Sequence, residues 1–206
     1  AICEHFQSIY HAGYEPGQVV VSCGAKHSLH NAFLATVNPG DEVLIPTPYW
    51  VTYPEQVKMA GGVPVYVDCP ESKAFKLTPE AVAAKITSKT KVLILNSPSN
   101  PTGAVVDRKT LEGIADLVVK HNLWVVSDEI YSKLVYGTEH VCFPALSKEV
   151  YDRTILVNGA SKTYAMTGWR IGYAAGPAPV MKAIAGYQSH STSNPTSISQ
   201  KATLAA

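Results

Sequence analysis

The stretch TILVNGASKTYAMTGWRIGYAAG (154–176) decides the fold. It holds two β-branched and apolar runs, TILVNG (154–159) and RIGYAAG (170–176). A short link between them carries one lysine, Lys162, among small residues, and Arg170 opens the second run. Five more runs of the same kind precede them: QVVVSC (18–23), DEVLIP (41–46), VPVYVD (63–68), KVLILN (91–96) and WVVSDE (124–129). They are continuous rather than alternating, which predicts strands buried on both faces. Helical patterns fall between them: KHSLHNAFLATV (26–37), TPEAVAAKI (78–86) and DRKTLEGIADLVVKH (107–121). The last has Asp107 as an N-cap and places Leu111, Ile114, Ala115, Leu117 and Val118 on one face. Alternation of strand and helix predicts an α/β fold, a mostly parallel seven-stranded sheet with helices on both faces. The close spacing of the last two runs allows an antiparallel strand.

The bulk properties exclude several classes. A chain of 206 residues, 46% apolar and 16% charged, can bury one substantial core and is not of the disordered type. A net charge of +1 without a basic stripe argues against nucleic acid and anionic membrane as partners. No apolar run has the length of a membrane span, and the opening residues lack the order of a secretory signal. Cys3, Cys23, Cys69 and Cys142 are scattered without a CxxC, which reads as reduced thiols in a cytoplasmic protein. His27 and His30 have no third ligand nearby, so they read as surface or cap residues and no metal is expected. Both ends read as helix without start or stop signals, as in a piece of a longer chain.

In open α/β sheets, ligands gather at the carboxyl ends of strands. Five polar clusters follow strand runs here. SCGAKHS (22–28) takes a strand through Gly24 and Ala25 into a helix, whose free N–H groups suit a phosphate. Alone it could equally be an ordinary strand–helix turn. In SDEIY (127–131), Asp128 ends a buried strand, and such a carboxylate caps a helix or pairs with a cation. Tyr131 can reach the same place. In SPSNPTG (97–103), two prolines and a glycine fix a loop that holds Asn100. A lysine of lowered pKa at Lys162 could form a Schiff base, and Arg170 offers a planar fork to a phosphate. Together with the flat Trp50, these groups describe one ligand, pyridoxal 5'-phosphate (PLP).

With these motifs in order, the chain resembles the large domain of class I, fold-type I PLP-dependent aminotransferases, in the bacterial-type aspartate aminotransferase branch. GASKTYAMTGWRIG (159–172), SPSNPTGAV (97–105), VVSDEIY (125–131) and PTPYWVTYPE (46–55) carry the resemblance. It covers the whole chain, so residues 1–206 are expected to be the PLP-binding domain, with an N-terminal segment and a C-terminal small domain outside it.

The resemblance implies a role for each residue. Lys162 holds PLP as a Schiff base and moves the substrate α-proton. Asp128 pairs with the pyridine nitrogen. Asn100 and Tyr131 bond the phenolic oxygen, and Trp50 stacks on the ring. Gly24, Ala25 and Lys26, with Arg170, grip the phosphate. Relatives often carry a serine phosphate ligand where this chain has Gly159. Lys26, with Trp50 and Asn100, faces the substrate, and Lys26 suits the side-chain carboxylate of aspartate or glutamate. The implied reaction is ping-pong amino transfer to a 2-oxo acid. The implied assembly is a homodimer, with SHSTSNPTS (189–197) reaching the neighbour. The arginine that clamps the substrate α-carboxylate lies outside this chain. The same core residues also serve C–S lyases, decarboxylases and cyclopropane-carboxylate synthases, and aminotransferase-like modules of regulators that sense PLP.

Overall fold

A computed structural model describes residues 1–206. Its seven strands are β1 (Val19–Cys23), β2 (Glu42–Thr47), β3 (Val63–Asp68), β4 (Thr90–Asn96), β5 (Trp124–Asp128), β6 (Thr154–Gly159) and β7 (Ile171–Ala175). They form one sheet in the order β1-β7-β6-β5-β4-β2-β3. β7 runs antiparallel to both neighbours, and the other six strands share one direction. Each strand lies within a residue of the run that predicted it.

The helices are α1 (Ile2–Tyr10), α2 (Ala25–Thr36), α3 (Thr52–Met59), α4 (Pro79–Ala83), α5 (Arg108–Lys120), α6 (Lys148–Tyr151), α7 (Ala160–Thr163), α8 (Ala178–Ser191) and α9 (Ser197–Ala205). Successive strand side chains point to opposite faces, and the core divides accordingly. Val43 and Ile45 of β2 join α2, α3 and α8 on one face, around Phe33, Val57 and Ile184. Leu44 joins α4, α5 and α6 on the other, around Val82, Ile114 and Val150. On that second side, α1 covers β6 and β7 through Phe6, Leu156 and Tyr173. Asp107 caps α5 by accepting the Thr110 N–H at 2.9 Å.

Three expectations change. VPVYVD is an edge strand with only Val67 buried, because β3 has only β2 beside it. The helix expected over 78–86 is regular only over Pro79–Ala83. Helices α3 and α8 were not marked by the sequence patterns. In α3, Tyr53 and Val57 make a short buried stripe four apart, while Val51 and Met59 are exposed.

All four cysteines are free, with Cys69 and Cys142 buried and Cys3 and Cys23 half-buried. The His27 ring accepts the Cys23 N–H at 3.3 Å, a local cap, and His30 packs edge-on to Tyr187. No helix is long and apolar enough to cross a membrane.

Candidate active site

Topology brings the site residues together. The parallel strands β1, β2, β4, β5 and β6 all end at one edge of the sheet. Because β7 is reversed, it begins at that same edge. Gly24, Ala25 and Lys26 follow β1, Trp50 follows β2, and Asn100 follows β4. Asp128 ends β5 with Tyr131 just beyond, Lys162 follows β6, and Arg170 precedes β7. A cavity of about 300 Å³ lies there, and every expected site residue except Gly24 lines it. Gly24 sits against the Arg170 guanidinium at its rim.

Asp128 forms the floor and is only 3% exposed. The Tyr53 hydroxyl donates to its Oδ2 at 2.7 Å, and the Ile130 N–H donates to Oδ1 at 3.3 Å. It takes part in no ion pair. Burial therefore pushes its carboxyl up to about 6, with the Glu129 charge adding to the rise and the two donors opposing it. No helix starts at Asp128, so the capping alternative does not apply.

Above the floor, Asn96 donates to the Asp128 carbonyl at 2.9 Å and accepts the Asn100 N–H at 2.8 Å. The Asn100 amide donates to the Tyr131 hydroxyl at 3.5 Å. Burial and the charge of Asp128 raise the Tyr131 phenol. The hydroxyl thus stays protonated and can donate to a ligand oxygen.

The rim is cationic. Lys162 is exposed, and its Nζ lies 5.8 Å from the centre of the Tyr131 ring. The Lys26 Nζ lies 4.9 Å over the Trp50 ring. Arg170 is exposed and left-handed at φ 55°, a conformation that costs an L-residue about 1–2 kcal/mol. Its guanidinium donates to the Thr167 carbonyl at 2.8 Å and the Cys23 carbonyl at 3.4 Å, which holds it beside the start of α2. There, Ala25 and Lys26 have no intrahelical acceptor for their N–H groups.

Glycines make this cradle possible. A Cβ on Gly24 would strike the Arg170 guanidinium, and one on Gly172 would strike the Ala25 backbone. Gly24 also has φ 87°, a region that favours glycine. At Gly159, a Cβ would lie 2.8 Å from the Ile171 carbonyl oxygen and 3.0 Å from the Gly172 Cα. Close packing of β6 on β7 thus leaves no unstrained room for a side chain at the position where relatives often carry serine.

The sequence reading missed six cavity residues: Tyr53, Asn96, Ser161 and Thr167 line the site with polar side chains, Leu29 and Ile130 with apolar ones. Tyr53 lies three residues after Trp50 and Asn96 ends a buried strand, so position alone could have flagged both. Ser161 borders Lys162 and faces the cavity from α7.

The residues fit PLP. The buried carboxylate lacks the cation that a protonated ring nitrogen would supply. The side-chain-free cradle with an arginine suits a phosphate, and the paired phenol and amide suit a ring oxygen.

A family model for class I and II aminotransferases matches residues 1–206. The chain is 54% identical to the aspartate aminotransferase of Geobacillus stearothermophilus, over 94% of this chain and 49% of that protein. It is 50% identical to the aspartate/prephenate aminotransferase of Cereibacter sphaeroides, over 100% of this chain and 52% of that one. The structure of Thermus thermophilus aspartate aminotransferase with maleate superimposes with a TM-score of 0.95 at 46% identity, covering 98% of this chain and 52% of that chain. The chain therefore spans about half the length of the relatives it matches. With a family model matched from end to end, this chain belongs to the class I and II aminotransferases.

Proposed function

We propose that the protein containing residues 1–206 transfers the amino group of an amino acid to a 2-oxo acid, with PLP bound in the cavity and residues 1–206 as its PLP-binding domain. One observation carries this reading. Six strand ends deliver a lysine, a cation-free buried carboxylate, a phenol–amide pair, an indole and a phosphate cradle to a single cavity.

When bound, PLP supplies an electron sink that stabilises negative charge at the substrate α-carbon. The chain's residues do the rest. Arg170 and the Ala25 and Lys26 N–H groups hold the phosphate through charge and the helix N-terminus. Asp128 keeps a proton on the ring nitrogen, and this cation returns its carboxyl towards the ordinary range. Tyr131 and Asn100 would donate to the ring oxygen, and Trp50 would pack against the ring. The Lys162 Nζ, anchored on short α7, would hold the cofactor covalently and, once the substrate amine had displaced it, would be free to take the α-proton and return it. Amino acid and 2-oxo acid bind in turn at one place, in ping-pong order.

The favoured substrates are aspartate and glutamate. Lys26 is an exposed cation on the cavity wall, suited to a second carboxylate. The Thermus thermophilus relative has been solved with the dicarboxylate maleate. We place the protein in the cytoplasm as a homodimer, consistent with its four free thiols and with the exposed residues 189–194, which end α8 and begin the link to α9.

The test uses the full-length protein. Borohydride reduction in the presence of PLP should label Lys162 in peptide maps. Oxaloacetate should form from aspartate with turnover only when 2-oxoglutarate is present, and without it should stop at about one equivalent per site. Continuous product formation without a 2-oxo acid would assign the site to elimination or decarboxylation. A label spread over other lysines would remove Lys162 from its role.

A further inference from the structure

The segment that carries Asp128 and Tyr131 has a second side. Asp128 and Tyr131 face the cavity, whereas Glu129 and Ser132 point behind it into the core. Glu129 is 1% exposed, and its carboxylate is fully engaged. Oε1 accepts from the Ser127 hydroxyl at 2.9 Å and from the Phe143 N–H at 3.1 Å, and Oε2 meets the His140 Nε2 at 2.6 Å. The His140 side chain is itself only 6% exposed and lies edge-on to Tyr10.

These contacts close the excursion between residues 129 and 143 onto its own start. Ser132 pins its next turn. Its hydroxyl pairs with the Tyr10 hydroxyl at 2.7 Å and accepts from the Asn158 amide at 3.2 Å. Asn158 in turn accepts the Gly159 N–H at 2.8 Å, two residues before the helix turn that carries Lys162. The rear cluster therefore joins α1, β5, β6 and the 129–143 excursion. None of its side chains lines the cavity.

A buried carboxylate with three partners is costly to dismantle, because each partner left behind is also buried. Such a group holds its backbone in one place. We propose that Glu129, clamped by His140, Ser127 and the Phe143 N–H, is a positioning residue that sets Asp128 and Tyr131 towards the cofactor cavity. It touches neither cofactor nor substrate. It acts through the two neighbours whose side chains leave the same short segment on the opposite side. The proposal rests on the PLP reading for its consequences, but its structural half stands on the hydrogen bonds alone.

The experiment is made on full-length protein with the near-isosteric Glu129→Gln, with His140→Asn, and with the double variant. Val118→Ala, a core truncation in α5 that leaves every hydrogen bond of Glu129 in place, serves as the control for general loss of stability. Two readouts are taken. Without cofactor, hydrogen exchange at the amides of residues 130–134 is measured. The Ser132 N–H, bonded to the Glu129 carbonyl at 2.9 Å, reports most directly. With PLP, the pH midpoint of its visible band is followed, with Lys162 labelling as a check.

Glu129→Gln should speed exchange of these amides by about tenfold relative to Val118→Ala. It should move the cofactor midpoint by roughly half a unit or more, while the label stays on Lys162. His140→Asn should act in the same direction, and the double variant should add little, because the two side chains form one unit. Exchange and midpoint equal to those of Val118→Ala would overturn the proposal. If wild type gave no Lys162 band, the PLP reading would fall, and exchange alone would then decide whether Glu129 holds the segment.

Discussion

The floor of the cavity and its rim solve opposite problems. At the floor, Asp128 is enclosed with Tyr53 and carries no cation, so burial works against its charge. At the rim, Lys162, Arg170 and Lys26 stand in solvent, where a charge costs folding almost nothing. The contrast shows which residues the fold sacrifices stability to keep. A rim residue can be removed with loss of chemistry alone, whereas removal of the floor carboxylate should strengthen the empty fold as it weakens the loaded one.

The rim gives the largest expected effect. Lys162→Ala should lower amino transfer by about 10³-fold or more, since proton transfer and the covalent anchor vanish together. Its urea midpoint should stay close to wild type, because an exposed lysine contributes within about 0.5 kcal/mol. Single-turnover kinetics and urea titration measure the two sides. An equal loss of stability would break the contrast.

Asp128→Asn tests the floor. In the fold its carboxyl is raised from 3.8 to about 6, so the folded state binds the proton more tightly. Stability therefore falls as pH rises through this window, and the full cost applies above about pH 6. A shift of this size corresponds to about 3 kcal/mol. Without cofactor, Asp128→Asn should be the more stable protein at pH 7.5 by up to that amount, and equal to wild type near pH 3.5. PLP should stabilise wild type more than the variant. Urea unfolding at both pH values, with and without PLP, decides the sign.

The sequence revealed the strands and the rim more fully than the floor. Seven apolar runs located every strand because parallel, doubly covered strands need continuous apolar residues. The exception, β3, shows that the same residues tolerate an edge. Lys162 and Arg170 were legible only in combination with the other clusters, because a single cation beside a strand run is most often just solvated. Tyr53 was legible only as a neighbour of Trp50: its role as the donor to Asp128, 75 residues away, appears only in the fold. The short stripe of α3 hid the helix that carries it. Glu129 was quoted within SDEIY but gained meaning only when residues 140 and 143 folded back onto it.

Gly159 lies between the two regions, where β6 leaves the sheet. Gly159→Ser restores the side chain often found in relatives, yet its Cβ would press on the backbone of β7, at the Ile171 carbonyl and Gly172 Cα. Backbone at the centre of a sheet yields little, and overpacking of this kind costs about 1–3 kcal/mol. A lowered urea midpoint without tighter PLP binding is expected. Tighter binding would mean that β7 can shift and that the floor is softer than its packing implies.

Arg170→Lys gives the smallest effect and isolates the cradle. Lysine keeps the charge but loses the fork that reaches both the Thr167 and Cys23 carbonyls. It must also occupy the same left-handed backbone, so the cost of that conformation is shared and cancels in the comparison. PLP affinity should fall about tenfold, roughly the worth of one charge-assisted hydrogen bond. Pyridoxal, which lacks the phosphate, should bind both proteins equally. Equal loss for both ligands would mean that Arg170 shapes the whole cavity through the loop it ties down, and the rim would then share the structural burden assigned here to the floor.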